Sequence, residues 1–435
     1  MRIKEAPDLQ QTCRDSAPQG SQAYATRRSK CAYNMPRRVL LLIAGMLLIS
    51  DLVTDSPTGI KNAAYLRGAF AQESPPKGDL IKGEVKPYGE LYVFDIRHGV
   101  GDRIIDGYNA QRGDKIRLLD FDLTDFNRVR GMLRQVGDDA QLRLPGGQIL
   151  WILKTQIDSL GAHTFQLQLD RRGLVPTFAD EFNEFSWYAE GLNDHPTGGG
   201  TWRTNFGYAP VQHLGSRTLG SNGELQVYFD RGFRGTASTP LGIEPFRIVN
   251  GTLEIVGDKA PENVKPFISN YEYTSGLITT QFSFSQVYGV FEMRARMPKG
   301  TGLWPTFWLL PKDRSWPPEI DIIEILGQEP TVLHTNAHSK ANGVHTDAPD
   351  VIRVPDTSAD FHLYAVDWQK DEIRWYFDGF EVARAPTPAD MHKPMYILAG
   401  LPIGGHWVGR PDDSTHFPAV LTIDWIRAYR RATEP

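Results

Sequence analysis

The chain holds only two cysteines in 435 residues, Cys13 and Cys31. Both precede anything that reads as a folded domain, so disulfides and thiol chemistry are excluded for the rest. No glycine-rich phosphate loop, dinucleotide fingerprint or zinc-ligand spacing occurs, and the 11 histidines include no H-E-x-x-H. The longest apolar run, Val39 to Ile49, has about 11 residues, short of the roughly 20 a membrane helix needs. Excess positive charge is missing too. The formal net charge is -5, and residues 1–38 alone hold a surplus of five basic side chains. Residues 39–71 balance to zero, which leaves -10 on residues 72–435. Such a chain has no bulk attraction for nucleic acid or anionic lipid.

Glycine (41) and proline (30) suit a turn-rich all-β protein, and 40% apolar content suffices for a core. At this length two domains are expected. Pro36-Arg37-Arg38 followed by Val39 to Ile49 reads as the start of a signal peptide over 35–71. Ala69-Phe70-Ala71 fits its cleavage site, and an uncleaved anchor is the alternative. Residues 1–34 then read as an over-extended start, with Met35 as the true one. A secreted or periplasmic bacterial protein is expected, touching membrane only through export or an uncleaved leader. Residues 72–87 read as a linker rich in Pro, Gly and Lys, and 88–172 as a small β module of short strands and turns. The catalytic unit is assigned to 173–435.

The decisive stretch is Glu319-Ile320-Asp321-Ile322-Ile323-Glu324. Three carboxylates on an otherwise apolar strand are costly unless they face a polar cleft. A helix would set Glu319 and Glu324 roughly 140° apart. The β-branched isoleucines and Pro317-Pro318 favour a strand. Glu319 and Asp321 then share a face, and a β-bulge at Ile322-Ile323 returns Glu324 to it. Two such carboxylates are what a retaining glycosidase needs, about 5–5.5 Å apart. Scattered acids on a solvated strand edge are the bland alternative. Against it, Trp304 and Trp308 lie just upstream in Gly302-Leu303-Trp304-Pro305-Thr306-Phe307-Trp308, and Trp316 stands three residues before Glu319. Tryptophans beside paired acids suggest platforms for sugar rings.

At this point residues 175–431 resemble glycoside hydrolase family 16, in its laminarinase-like branch. The resemblance is carried by Phe178-Ala179-Asp180-Glu181-Phe182, Asn222-Gly223-Glu224-Leu225-Gln226, Tyr288-Gly289-Val290-Phe291-Glu292-Met293-Arg294 and the acid motif. Trp375-Tyr376-Phe377-Asp378-Gly379, Gly404-Gly405-His406-Trp407 and Ile423-Asp424-Trp425 follow in the family's order. It implies an all-β, two-sheet jelly-roll sandwich (concanavalin-like) behind the small β-rich module. It implies Glu319 as nucleophile, Glu324 as acid/base and Asp321 between them. It places Trp304, Trp316, His334, Asn222, Glu224 and Trp407 at the substrate, and Glu292 and Arg294 on a strand next to the acids, with a structural salt bridge under the cleft as the alternative for these two. No metal ligand or required cofactor is implied. The activity implied is endo-hydrolysis of a β-1,3- or mixed β-1,3/1,4-linked glucan, or of a bacterial exopolysaccharide such as succinoglycan. Transglycosylation and non-catalytic glucan binding are the alternatives. Thr306 replaces the usual Ala, and His334-Thr335-Asn336-Ala337-His338-Ser339 carries a second His, closer to rhizobial exopolysaccharide-cleaving members. The module resembles the terminal β-roll unit of RTX-type secreted proteins. Its Gly-Asp turns offer oxygen ligands for a structural Ca²⁺, with a calcium-free module as the alternative. The expected partner is the polysaccharide alone, and the expected state a monomer.

Overall fold

Alternation of apolar and polar residues builds two large sheets that face each other. The first has six strands, in the order Leu277–Thr279, Met395–Gly400, Thr306–Pro311, Glu319–Glu324, Val332–His338 and Asp350–Arg353. The second has ten, centred on Ala419–Arg431, which pairs with Thr252–Lys259, Gly289–Arg296 and Leu174–Asp180. One continuous core lies between them. Phe307, Ile320, Ile323, Ile397 and Ala399 enter it from the first sheet, and Phe291, Met293, Val366, Trp375 and Ile423 from the second. This is the expected jelly-roll sandwich, seen in a computed structural model that describes residues 78–85, 91–188 and 199–432. Both cysteines, the over-extended start, the signal peptide and residues 72–77 and 86–87 of the linker lie outside the described residues.

Two smaller sheets precede the sandwich. One has five strands, among them Arg103–Ile105, Asp139–Arg143 and Ile149–Ile152; the other has four, among them Tyr92–Arg97 and Lys115–Leu119. Pairing is parallel between Arg103–Ile105 and Ile149–Ile152, and between Tyr92–Arg97 and Lys115–Leu119. They enclose their own core of Phe94, Ile96, Ile116, Leu118, Leu142, Leu150 and Ile152. Two features differ from the sequence reading. Asp79–Ile81 and Glu84–Val85, inside the expected linker, are edge strands of these sheets. Their few apolar residues, Leu80, Ile81 and Val85, are flanked by Gly and Lys, which hid them. Phe126–Met132 is an α-helix, capped by the Asp125 carboxylate on the Asn127 N–H, and at seven residues it is too short to show a period.

The module does not stop cleanly at residue 172. Leu169 packs on Val290, Ala365 and Tyr376 of the ten-stranded sheet. The Leu169 N–H donates to Gly379 O, and the Glu381 N–H to Leu167 O. Arg171 pairs with Glu292 at 2.5 Å. All described residues fall within the one compact unit Phe70–Pro435. The expected Gly-Asp turns hold themselves together. Asp114 accepts from the backbone N–H groups of Tyr92 and Asn109 and from Arg112. Asp102 accepts from the Ile149 N–H at 2.8 Å.

Candidate active site

The acid strand Glu319–Glu324 lies inside the six-stranded sheet, and its bulge falls where the spacing of the acids requires. Against Thr306–Pro311, Phe307 faces Ile323 and Trp308 faces Asp321, so one residue of the acid strand is extra. Against Val332–His338, the pairs are Glu319 with His338, Asp321 with Asn336, and Glu324 with His334. Evenly spaced residues on one strand therefore meet unevenly spaced acids on the other. Ile320, Ile322 and Ile323 are all buried in the core. The carbonyl of Asp321, at the bulge, accepts the indole N–H of Trp375 from the opposite sheet at 2.9 Å.

The acids open into a cleft of about 700 Å³. Each glutamate receives one indole. Trp316 Nε1 donates to Glu319 Oε2 at 2.7 Å, and Trp304 Nε1 to Glu324 Oε1 at 3.1 Å. Gly302, at φ +78, lets this segment approach Pro411, whose nitrogen would lie 2.4 Å from an added Cβ. Trp407 packs edge-on against both Trp304 and His334, with centroids at 5.4 and 4.9 Å. Asn222 and Glu224 line the cleft. Glu224 is buried and accepts from the Leu219 N–H, Gln226 and Asn222. Burial nonetheless pushes its carboxyl up to about 7.

Crowding shifts the three acids in one direction. Burial, then the Glu319 charge, pushes Glu324 up to about 8. Burial and Asp321 hold Glu319 well above the usual carboxylate range, and burial and Glu324 do the same to Asp321. A carboxyl kept protonated at neutral pH is an acid in waiting, and a neighbouring carboxylate is a nucleophile. Glu319, Asp321 and His338 bring their polar atoms within 4.8 Å of one another, the one such grouping among the described residues that could take a cation. Trp316 and Asn336 already engage two of the three, and no metal is assigned there.

His334 sits opposite Glu324 but packs on Trp407 and does not line the cleft, and burial lowers its pKa. The histidine that reaches the acids is His338, whose Nε2 lies 3.2 Å from Asp321 Oδ2. Sequence reasoning noted it only as a second His and missed Asn336, although both follow from alternation once the bulge is accepted. It also missed Tyr208 and His345, which loops deliver to the cleft and which carry no local signal. For Glu292 and Arg294 the placement next to the acids is corrected, and the salt-bridge alternative describes them better. They lie on Gly289–Arg296 in the ten-stranded sheet, not beside the acids. Alternation turns Phe291, Met293 and Ala295 into the core and these two outward, where they pair with Arg171 and Asp424.

Residues 245–427 match the model of Glycosyl hydrolases family 16. The chain is also 41% identical over 329 residues to Endo-1,3-1,4-beta-glycanase ExsH of Rhizobium meliloti (strain 1021), covering 76% of this chain and 67% of the relative. This chain belongs to glycosyl hydrolase family 16. Endo-1,3-1,4-beta-glycanase EglC of the same organism is 40% identical over 337 residues, 78% of this chain and 69% of the relative. A relative from Rhodothermus marinus, Beta-glucanase, is 34% identical over 256 residues, 53% of this chain and 84% of the relative. The protein is thus a glycoside hydrolase, and the family match contains all three acids, Trp304, Trp316, His334 and Trp407.

Proposed function

We propose that the protein is a retaining endo-β-glycanase acting on a β-1,3- or mixed-linkage glucan or on a bacterial exopolysaccharide such as succinoglycan. The carrying observation is the row of three acids in one cleft, with an indole N–H on each glutamate. Glu324 protonates the leaving oxygen while Glu319 attacks the anomeric carbon. Asp321 sits between them and tempers their charge. Water activated by Glu324 then releases the sugar. Trp304, Trp316 and Trp407 offer ring faces to the glycan, with Asn222 and Glu224 beside them. The names of the two Rhizobium meliloti relatives support a β-1,3/1,4-linked substrate. Transfer to a second sugar uses the same residues. A purely binding role fits less well, because both glutamates are present.

The parallel pairing in the first module supports the likeness to a β-roll unit of secreted proteins. With the Asp102 and Asp114 carboxylates engaged inside the chain, we assign that module no calcium. An exported monomer that needs no cofactor completes the proposal. The test is the first-formed product from a panel of β-glucans and exopolysaccharides, read by proton NMR before mutarotation. The β anomer should appear first, from the wild type and not from Glu319→Gln. An α anomer appearing first would mean inversion and defeat the mechanism.

A further inference from the structure

The residues facing the acids contain a hydrogen-bond conflict. Asn336 Oδ1 accepts the backbone N–H of Ala337 at 2.9 Å and of Ala348 at 3.0 Å. Two N–H donors on one oxygen fix the amide's orientation, so Nδ2 is the donor end. Nδ2 lies 3.1 Å from His338 Nε2. In the neutral ring Nε2 is then the acceptor and Nδ1 carries the hydrogen. Nδ1 in turn lies 3.1 Å from His345 Nε2, which can accept it. Yet the same His338 Nε2 faces Asp321 Oδ2 at 3.2 Å. Asp321 is 2% exposed, and this oxygen has no hydrogen-bond partner. Two bare acceptors at that distance in a buried site repel, and a proton between them removes the conflict.

We propose that Asp321 and His338 share one proton, and that His345 fixes which ring nitrogen receives it. This rests on the acid roles proposed above. In the exchange the Asp321 O–H bond breaks and the His338 Nε2–H bond forms, and nothing else is transferred. Asn336 opposes the imidazolium by presenting a donor to Nε2, and the Asp321 carboxylate favours it, so neither form is locked. The row can thereby change its charge by one between the two half-reactions, when Glu319 and then Glu324 must be anionic. Other titratable groups face this pair. They are Glu319 and Glu324 on its own strand, His334 on the next, and Tyr208 and Glu224 across the cleft. His338 and His345 act through Asp321 and are positioning residues.

The test uses the full chain labelled with ¹⁵N-histidine, read without substrate, with the His338 signals assigned from His338→Gln. In the wild type Nδ1 should be protonated and Nε2 partly so. Asp321→Asn offers Nε2 a permanent N–H donor and should move its signal to the fully bare position. An unchanged Nε2 signal in Asp321→Asn would overturn the proposal. In kinetics, kcat of His338→Gln should fall by about tenfold or more with KM within about twofold, since the group acts on the carboxyls rather than the sugar. Wild-type kcat there would also overturn it. His345→Gln keeps an acceptor for Nδ1 and should preserve the wild-type tautomer, whereas His345→Phe should mix the tautomers. If both behave alike, His345 does not orient the ring. The NMR readings need no turnover, so they stand or fall apart from the hydrolase reading.

Discussion

Deleting Ile322 should give a less stable protein that still hydrolyses its substrate. The reason is parity along a strand. His334, Asn336 and His338 are spaced evenly, while the acids opposite them are spaced by two and then three, and the bulge absorbs the excess. Without Ile322 the acids are spaced evenly as well. Each would meet its present partner with no bulge. Adding one residue beside Ile323 has the opposite effect. Either the glutamate turns into the core, or the strand straightens and carries it about 6.6 Å along the sheet, away from Trp304.

The cost of the deletion can be sized. Ile322 is 2% exposed in the main core, and losing such a side chain forfeits about 1.5–3 kcal/mol. The Trp375 bond to the Asp321 carbonyl depends on the bulge, and an unpaired buried partner costs about 1–3 kcal/mol. The total, about 2.5–6 kcal/mol, is a large share of the 5–15 kcal/mol that typically holds a domain. The variant should therefore unfold at much lower urea but remain folded in the cold. Tryptophan fluorescence would follow unfolding, and reducing-end release from a soluble β-glucan would follow activity. A folded deletion variant no more active than Glu319→Gln would refute the parity argument, and the bulge's own geometry would then be essential.

Glu324→Ala should lose activity on the polymer yet be rescued by azide on an activated aryl glycoside, giving a β-azide; an α-azide would reverse the two glutamates' roles. Raising pH through about 8 should remove kcat/KM as Glu324 gives up its proton, and a base limb unmoved from wild type in Glu324→Gln would contradict this. Stability should change with pH in the same sense. Glu224 and Glu324 are raised to about 7 and about 8, so the native chain binds more protons than the unfolded one above the ordinary value of 4.5. The urea midpoint should fall as pH rises from there to about 8, and less so in Glu224→Gln. Cutting the chain after residue 172 should lower the melting temperature more than cutting after residue 163, because only the first cut strips Leu169 and Arg171 from Val290, Tyr376 and Glu292. Equal melting temperatures would show that 164–172 belong energetically to the module.

The site was legible in the sequence where neighbours along the chain make it. Six residues sufficed to place the bulge, because charge on an apolar strand has few destinations. Trp304 and Trp316 lie within 15 residues of Glu319 and were read with it. The sandwich followed from a family likeness spread over many short motifs, each too brief to specify a fold alone. What stayed hidden depends on long-range pairing. Glu292 and Arg294 share the alternation of a cleft strand, and nothing local says which sheet they join. Tyr208 and His345 reach the cleft from loops, where no period operates. The strand Asp79–Ile81 gains its place only through Arg103–Ile105.

The choice of donors explains how three buried acids can coexist and still do different work. No lysine or arginine is among the described residues that line the cleft. A cation there would favour ionisation and draw the Glu324 proton away before it could be used. Neutral indoles hold each glutamate in place without deciding its charge. Burial and mutual repulsion are thus left unrelieved, and they favour the protonated carboxyl at Glu324 at neutral pH. The arginines lie elsewhere. Arg171, Arg294, Arg427 and Arg431 pair with acids of the ten-stranded sheet and its flanks, on the far side of the core. The sandwich therefore separates two tasks, with ion pairs bracing the outer sheet and uncompensated carboxyls lining the inner one. A lysine introduced at Thr306, directly opposite Glu324 in register, should abolish acid catalysis while leaving the nucleophile intact. Activated aryl glycosides, which need no acid, would still be turned over. Loss of both activities in a folded Thr306→Lys protein would show that the cleft fails for steric reasons and that charge is not what the row protects.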